Sequence, residues 1–235
     1  MRTLFFDTLS STQEEARRLY DGGEILAVVA SHQTHGKGRR GHTWVSKKGE
    51  SLLVTFAFSL PLNSLHLESL GLVAAHSLST LLKPHFPIQI KWPNDLLIQE
   101  KKVAGILCEV SQKQDALHLF LGIGLNVNQT EFPPLDFPAT SLRLASHHPW
   151  DIPSLLSSLQ TSLQNDLHLF RLHGFEPFKA PVENLLAYRN QLVQAGEHQG
   201  LLHSLSSSGL LNLYHPVTHT MTTLSSLSSL RPIRQ

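Results

Sequence analysis

A chain of 235 residues with 41% hydrophobic composition has material for one sizeable core and a small appendage. Its 19 Lys and Arg against 18 Asp and Glu leave a net charge of +1, which argues against a general nucleic-acid binder. One cysteine permits no internal disulfide, the run Met1 to Asp7 is too short for a signal peptide, and no stretch approaches the ~18 apolar residues of a membrane span, so a cytoplasmic protein without membrane partners is expected.

In chain order, Ser11-x-x-Glu14 has the form of a capping box and opens a helix through about Tyr20. A strand over Ile25 to Ala30 follows. The segment Gly36-Lys37-Gly38-Arg39-Arg40-Gly41-His42-Thr43-Trp44 then sets cations among glycines and closes with a large aromatic, a composition suited to holding an anion. It satisfies G-x-G-x-x-G, but the dinucleotide fingerprint needs a helix starting at its last glycine and an acid about 20 residues on. Here a short polar stretch leads to Ser51 to Phe58, β-branched and aromatic, which predicts a strand, and no acid lies near position 61. A P-loop is excluded because G-x-x-x-x-G-K-[ST] does not occur.

A helix is expected from Asn63 or Ser64 to Lys83, where Pro84 stops it. Strands are expected at roughly 88–92, 95–99, 103–110 and 116–125, mostly joined as hairpins, which predicts an α+β fold with a mixed, largely antiparallel sheet flanked by helices. Phe132 to Pro138 reads as a loop, and Pro153 opens a helix to about His173 whose leucines at 155, 156, 159, 163 and 167 have core periodicity. Beyond about Tyr188 short runs separated by Gly196, Gly200, Ser206 to Gly209 and Pro216 fit a small β-barrel. Leu224-Ser-Ser-Leu-Ser-Ser-Leu230 is either a degenerate strand or a tail.

Lys91-Trp92-Pro93-Asn94-Asp95 begins the second informative stretch. Two apolar runs flank the charged triplet Glu100-Lys101-Lys102, so a hairpin is expected, with Lys102 at the start of a buried strand. Gly105 marks a close approach by a ligand or another backbone, since glycine otherwise weakens a strand. The plain alternative is a surface hairpin with solvated lysines and a bulge glycine. Cys108 reads as a buried strand residue. The scattered histidines, including His147-His148 and His215 with His219, form no paired metal motif, and metal ligands are left unassigned.

Four pieces in order, Asp7 to Gln13, Gly36 to Trp44, Lys91 to Gly105 with its K-W-P-N-D and K-x-A-G, and Gly122-Ile-Gly124-Leu-Asn126-Val-Asn128, resemble the biotin protein ligases. They span about half of the chain. The resemblance implies a biotin/lipoate ligase-like catalytic domain over residues 1–187 and an SH3-like β domain over 188–235. It implies activation of biotin by ATP, with Mg²⁺, to biotinyl-5'-AMP and pyrophosphate, then transfer to a lysine of a biotin carboxyl carrier protein. It also admits a homodimer. Some ligases of this family carry an N-terminal DNA-binding domain; with the helix-entry motif starting by residue 10, a monofunctional ligase without DNA binding is expected.

By the same resemblance Ser11, Thr12, Gln13 and Gln33 meet the ureido ring, while Gly36, Lys37, Gly38, Arg39, Lys102 and Gly105 line the rest of the biotin site. Arg39, Arg40, Trp44, Asn94, Lys102 and Asn126 contact the adenylate, Trp44 by stacking. Arg39, Lys102 and Asp95 are the catalytic candidates. Several have a plainer role: Ser11 and Thr12 in the helix cap, Gln33 in a loop, Trp44 in the core, Asn94 and Asp95 in a turn after Pro93, Arg40 in solvent. Two positions depart from the family pattern, Gln13 where Asn is usual and Lys37 where Arg is usual, and lysine lacks arginine's planar fork.

The chemistry makes the same demand independently. Carboxylate attack on the α-phosphate of ATP brings two anions together, a repulsion of roughly 4 kcal/mol at about 4 Å and an effective dielectric near 20. Cations such as Arg39, Lys37 and Lys102 offset it, and the loop's N–H groups add donors. A glycine loop of this kind is expected to be mobile without ligand and ordered over the adenylate. A lipoate or octanoate ligase or transferase of the same fold, and a non-catalytic biotin or nucleotide binding module, are the two rival readings.

Overall fold

The apolar run after Ser51 forms β3 (Ser51–Pro61), buried along nearly its whole length on both faces. A strand apolar at successive positions needs cover on both sides of its sheet, and the computed structural model supplies two unequal layers. It describes residues 1–64, 66–113, 115–135, 137–225 and 230–233. With β1 (Arg2–Leu9), β2 (Leu26–Gln33), β4 (Ile88–Lys91), β5 (Asp95–Ile98), β6 (Lys101–Lys113) and β7 (Ala116–Asn126), β3 makes a seven-stranded sheet of order β1-β2-β3-β7-β6-β5-β4. Only the β1 and β2 pairing is parallel; the others are antiparallel.

One face packs against α2 (Leu70–Leu82), α4 (Ile152–His173) and α5 (Glu176–Leu185), and Leu52, Val54, Phe56 and Phe58 point into that main core. The opposite face is covered by the short α1 (Thr12–Leu19), whose Ala16, with Tyr20 just past its end, packs on Leu26, Val28, Ala57 and Phe120. An eight-residue helix spans about 12 Å. It covers one end of this face and leaves the rest open.

The α4 boundaries follow the expectation, with Asp151 capping through Ser154 N and Pro153 in the first turn. Several elements differ. The helix expected from Asn63 or Ser64 begins only at Leu70, after His66 turns the chain at φ 62 and a 3-10 turn spans Leu67–Ser69. The hairpin turn is Gln99–Glu100, both at positive φ as in a type I′ turn, so Lys101 is already in β6. β1, α3 (Leu142–Ser146) and α5 were not anticipated; α5 carries Pro181 internally and is held by burial of Phe178 and Val182.

From Tyr188, at φ 65, the chain enters β8 (Leu192–Ala195), β9 (His198–Leu205), β10 (Leu211–His215), β11 (Thr220–Leu224) and β12 (Leu230–Pro232). They form an antiparallel five-stranded sheet of order β11-β10-β9-β8-β12, in keeping with the expected small β unit. The repeat after Leu224 falls between β11 and β12, and positions 226–229 lie outside the described residues. Val193, Leu202, Leu211 and Leu213 join the core of the large sheet, so one apolar cluster runs through both.

Candidate active site

On the face that α1 leaves open lies a cavity of about 390 Å³. Its walls take Ser11, Thr12, Gln13, Gln33, Lys37, Gly38, Arg39, Arg40, Trp44, Asn94, Asp95, Lys102, Gly105 and Asn126, so four stretches distant in sequence converge. Gly36 is buried immediately behind this wall, where a β-carbon would run into the Trp44 carbonyl oxygen and stand 3.1 Å from Gln33 Nε2.

At one end the start of α1 builds a polar network. Gln33 Oε1 accepts from Thr12 N at 2.7 Å and from Thr12 Oγ1 at 2.9 Å. Gln13, nearly fully buried, donates its amide to Phe120 O at 2.8 Å. The Thr55 hydroxyl stands 2.9 Å from Thr12 Oγ1 and 3.0 Å from Gln13 Oε1, and its single proton serves one of them. Ser11 caps α1 by accepting from Gln13 N, but the reciprocal half of the capping box is missing. The Glu14 carboxylate instead meets Lys37 Nζ at 2.7 Å, and Lys37 and Ser10 hold it below its usual range.

Residues 36–44 fold as a tight hairpin: Lys37 pairs with Thr43, Trp44 N donates to Gly36 O at 2.9 Å, Gly38 N to His42 O at 2.7 Å, and His42 N to Arg39 O at 3.1 Å. Those three N–H groups are spent within the loop, so the expectation that the loop's amides cradle the anion is corrected at these positions. The charges are left for that task. Arg39 is half-buried and donates to Asn94 Oδ1 at 3.2 Å; burial, then the neighbouring Arg40, pulls its pKa down, opposed by Asp95. Arg40, at φ 55, is exposed.

At the other end Lys102 Nζ meets Asp95 Oδ1 at 2.7 Å, both side chains mostly withdrawn from water. The backbone of Lys102 is gripped from the side: its N donates to Pro138 O at 2.8 Å and its O accepts from Thr140 N at 2.9 Å. Asn94 donates to Ile106 O, and Asn126 donates to Thr140 O while accepting from Gln129. Asn126 is therefore fastened by its amide and reaches the cavity as a fixed wall. Lys91 lies with its ammonium 3.8 Å from the Phe137 ring centroid, and burial lowers its pKa against the pull of Asp95. Cys108, expected to be buried, is only partly so, and its surroundings still push the thiol up to about 12, which disfavours the thiolate.

Lys91, Thr55, Gly122, Gly124, Phe137 and Arg231 also line the cavity and had no assigned role. The glycines were readable as a G-x-G inside a strand and Lys91 as the head of its motif. Nothing in the sequence pointed to Arg231, which β12 brings from the small sheet. Among the described residues no group of three or more His, Cys, Asp or Glu is placed to hold a metal.

Residues 6–126 match the model of the Biotin/lipoate A/B protein ligase family. The chain belongs to this family. Its structure superposes on the biotin protein ligase from Aquifex aeolicus in complex with biotin and ATP with a TM-score of 0.82 and 31% identity, covering 99% of each chain. It is 30% identical over 225 residues to the biotin--[acetyl-CoA-carboxylase] ligase of Paracoccus denitrificans, covering 88% of this chain and 91% of that one. It is 34% identical over 187 residues to the bifunctional ligase/repressor BirA of Bacillus subtilis, covering 75% of this chain and 57% of that relative's length.

Proposed function

We propose that the chain is an ATP-dependent biotin protein ligase. In the first step a biotin carboxylate oxygen attacks the α-phosphorus of ATP and pyrophosphate leaves; in the second the ε-amine of a carrier lysine attacks the acyl carbon and AMP leaves. The observation that carries this reading is the meeting of Arg39, Lys102 and Asp95 in one cavity whose other end is the Thr12, Gln33 and Gln13 network. Convergent donors and acceptors at one end suit a ureido ring, and cations at the other suit a carboxylate facing a phosphate. The Aquifex complex named for biotin and ATP supports the same pair of substrates.

In this reading Lys102 and Arg39 hold the two anions together, and each charged hydrogen bond contributes about 1.5 to 3 kcal/mol. Asp95 orients Lys102 in the first step and receives the incoming amine in the second. Trp44 presents its ring to the adenine, and Asn94 fixes the fork of Arg39. With Asp95 paired to Lys102 and no further acidic cluster among the described residues, the donor set does not fit a resident metal. Mg²⁺ would arrive as the counter-ion of the nucleotide phosphates. No helix among the described residues is long and apolar enough to cross a membrane; a cytoplasmic site of action belongs to this proposal.

The acceptor is a biotin carboxyl carrier protein. Incubating the chain with ATP, biotin and a carrier domain should add the mass of one biotinyl group at a single carrier lysine, and replacing that lysine by Arg should abolish it. An unlabelled carrier under turnover conditions would overturn the transfer step.

A further inference from the structure

Beneath Trp44 the sheet presents two glycines. Gly105 on β6 and Gly124 on β7 are register partners in adjacent strands and open on the same face. A β-carbon on Gly124 would lie 2.5 Å from Trp44 Cε2 and 2.8 Å from Cζ2, and one on Gly105 would lie 2.9 Å from Cζ3. The indole therefore rests on bare backbone across two strands. Neither glycine has a positive φ, so backbone conformation does not require glycine at either position. Space does, and glycine is accepted there although it weakens a strand.

We propose that Gly124 is a positioning residue: the room it leaves sets the depth of the Trp44 indole and so the height of the surface on which the nucleotide base stacks. A methyl group at 124 has to push the ring outward by roughly 1 Å to reach ordinary van der Waals contact. The seat is a property of the protein alone; the stacked base rests on the ligase reading above. Gly105 is a less clean probe, because a β-carbon there would also stand 3.1 Å from Lys102 Nζ.

The test is a double-mutant cycle on the full chain with Gly124→Ala, Trp44→Ala and both together. Without substrate, Gly124→Ala should lower the melting temperature, and it should lower it much less when Trp44 is already Ala. In pyrophosphate exchange Gly124→Ala should raise KM for ATP by about tenfold to a hundredfold, the range expected when a base–aromatic stack is lost. KM for biotin should stay within about twofold, because binding lost at one site need not alter a separate one. The Trp44→Ala background should cancel the ATP effect. Equal melting losses in both backgrounds, an equal rise in both KM values, or a Gly124→Ala chain indistinguishable from the parent would each overturn the proposal. Should no acid support exchange, the ligase reading falls, while the substrate-free melting cycle still decides whether Gly124 seats Trp44.

Discussion

Lys37 and Arg39 sit two positions apart in one hairpin, yet their surroundings set them to different tasks. Lys37 is engaged by Glu14 in a pair whose side chains are about half exposed, and such pairs contribute about 0.2 to 1 kcal/mol. Lys37→Ala should therefore slow adenylation by less than about fivefold. Arg39, half-buried against Asn94, should cost more than about tenfold when replaced by Ala. Steady-state exchange rates of the two variants check the ranking. His118 makes a separate prediction. It is buried against Tyr20, and burial, with Lys113, holds its pKa below the ordinary 6.5. Well above pH 6.5 the ring is neutral folded and unfolded, and its full contribution is present. Below that the unfolded chain takes the proton first, so stability falls until the pH passes the folded pKa. The urea midpoint should drop as the pH is lowered through about 6.5, and drop less in His118→Phe. At this scale the sequence was most informative where a motif marked residues that the fold brings to one cavity, as at Arg39 and Lys102. It misjudged Glu14, because the partner that draws it from the capping box is Lys37, which only folding brings near.

At the level of elements, the G-x-G of β7 spaces two side chains of the cavity wall. A β-carbon on Gly122 would lie 2.8 Å from Gln13 Oε1, and Trp44 covers Gly124. Residues two apart on a strand are about 7 Å apart on one face. Gln13, longer than the Asn usual in the family, reaches over Gly122, so Gly122→Ala should raise KM for biotin, and Gln13→Asn in that background should recover part of the loss. A Gly122→Ala chain with unchanged KM, or no recovery, would count against this spacing. The hairpin 36–44 should gain hydrogen-exchange protection when biotin and ATP are added, and unchanged exchange would contradict a role in covering the adenylate. Strands 2 to 7 and α4 were legible because their apolar runs, turn residues and caps are local signals. β1 was not, since a half-exposed edge strand shows weak alternation, and α5 was not, since Pro181 contradicts the helix that tertiary burial imposes.

For the molecule as a whole, we retain residues 1–187 and 188–235 as the proposed division, although one core crosses it. Trp92 of the K-W-P-N-D stretch is fully buried and donates to Gly209 O of the small unit at 3.0 Å; Leu205 N donates to Glu183 Oε1 at 2.7 Å. A chain ending at Ala187 would leave that indole N–H unmet and expose the apolar residues beneath the small sheet. It should fail to give a cooperative melting transition, and a truncated chain that melts like the parent would contradict the shared core. The small unit also delivers Arg231 to the cavity wall, a placement that sequence reading could not reach because it depends on how the two sheets pack. The central claim is that this cavity activates biotin, and biotin-dependent exchange of labelled pyrophosphate into ATP tests it most directly, with lipoate and octanoate run in parallel. The account predicts exchange with biotin and none with the other two acids. Exchange supported by lipoate or octanoate in place of biotin would contradict it and move the chain to the lipoate branch of its family, and the absence of exchange with any of the three acids would leave a binding module.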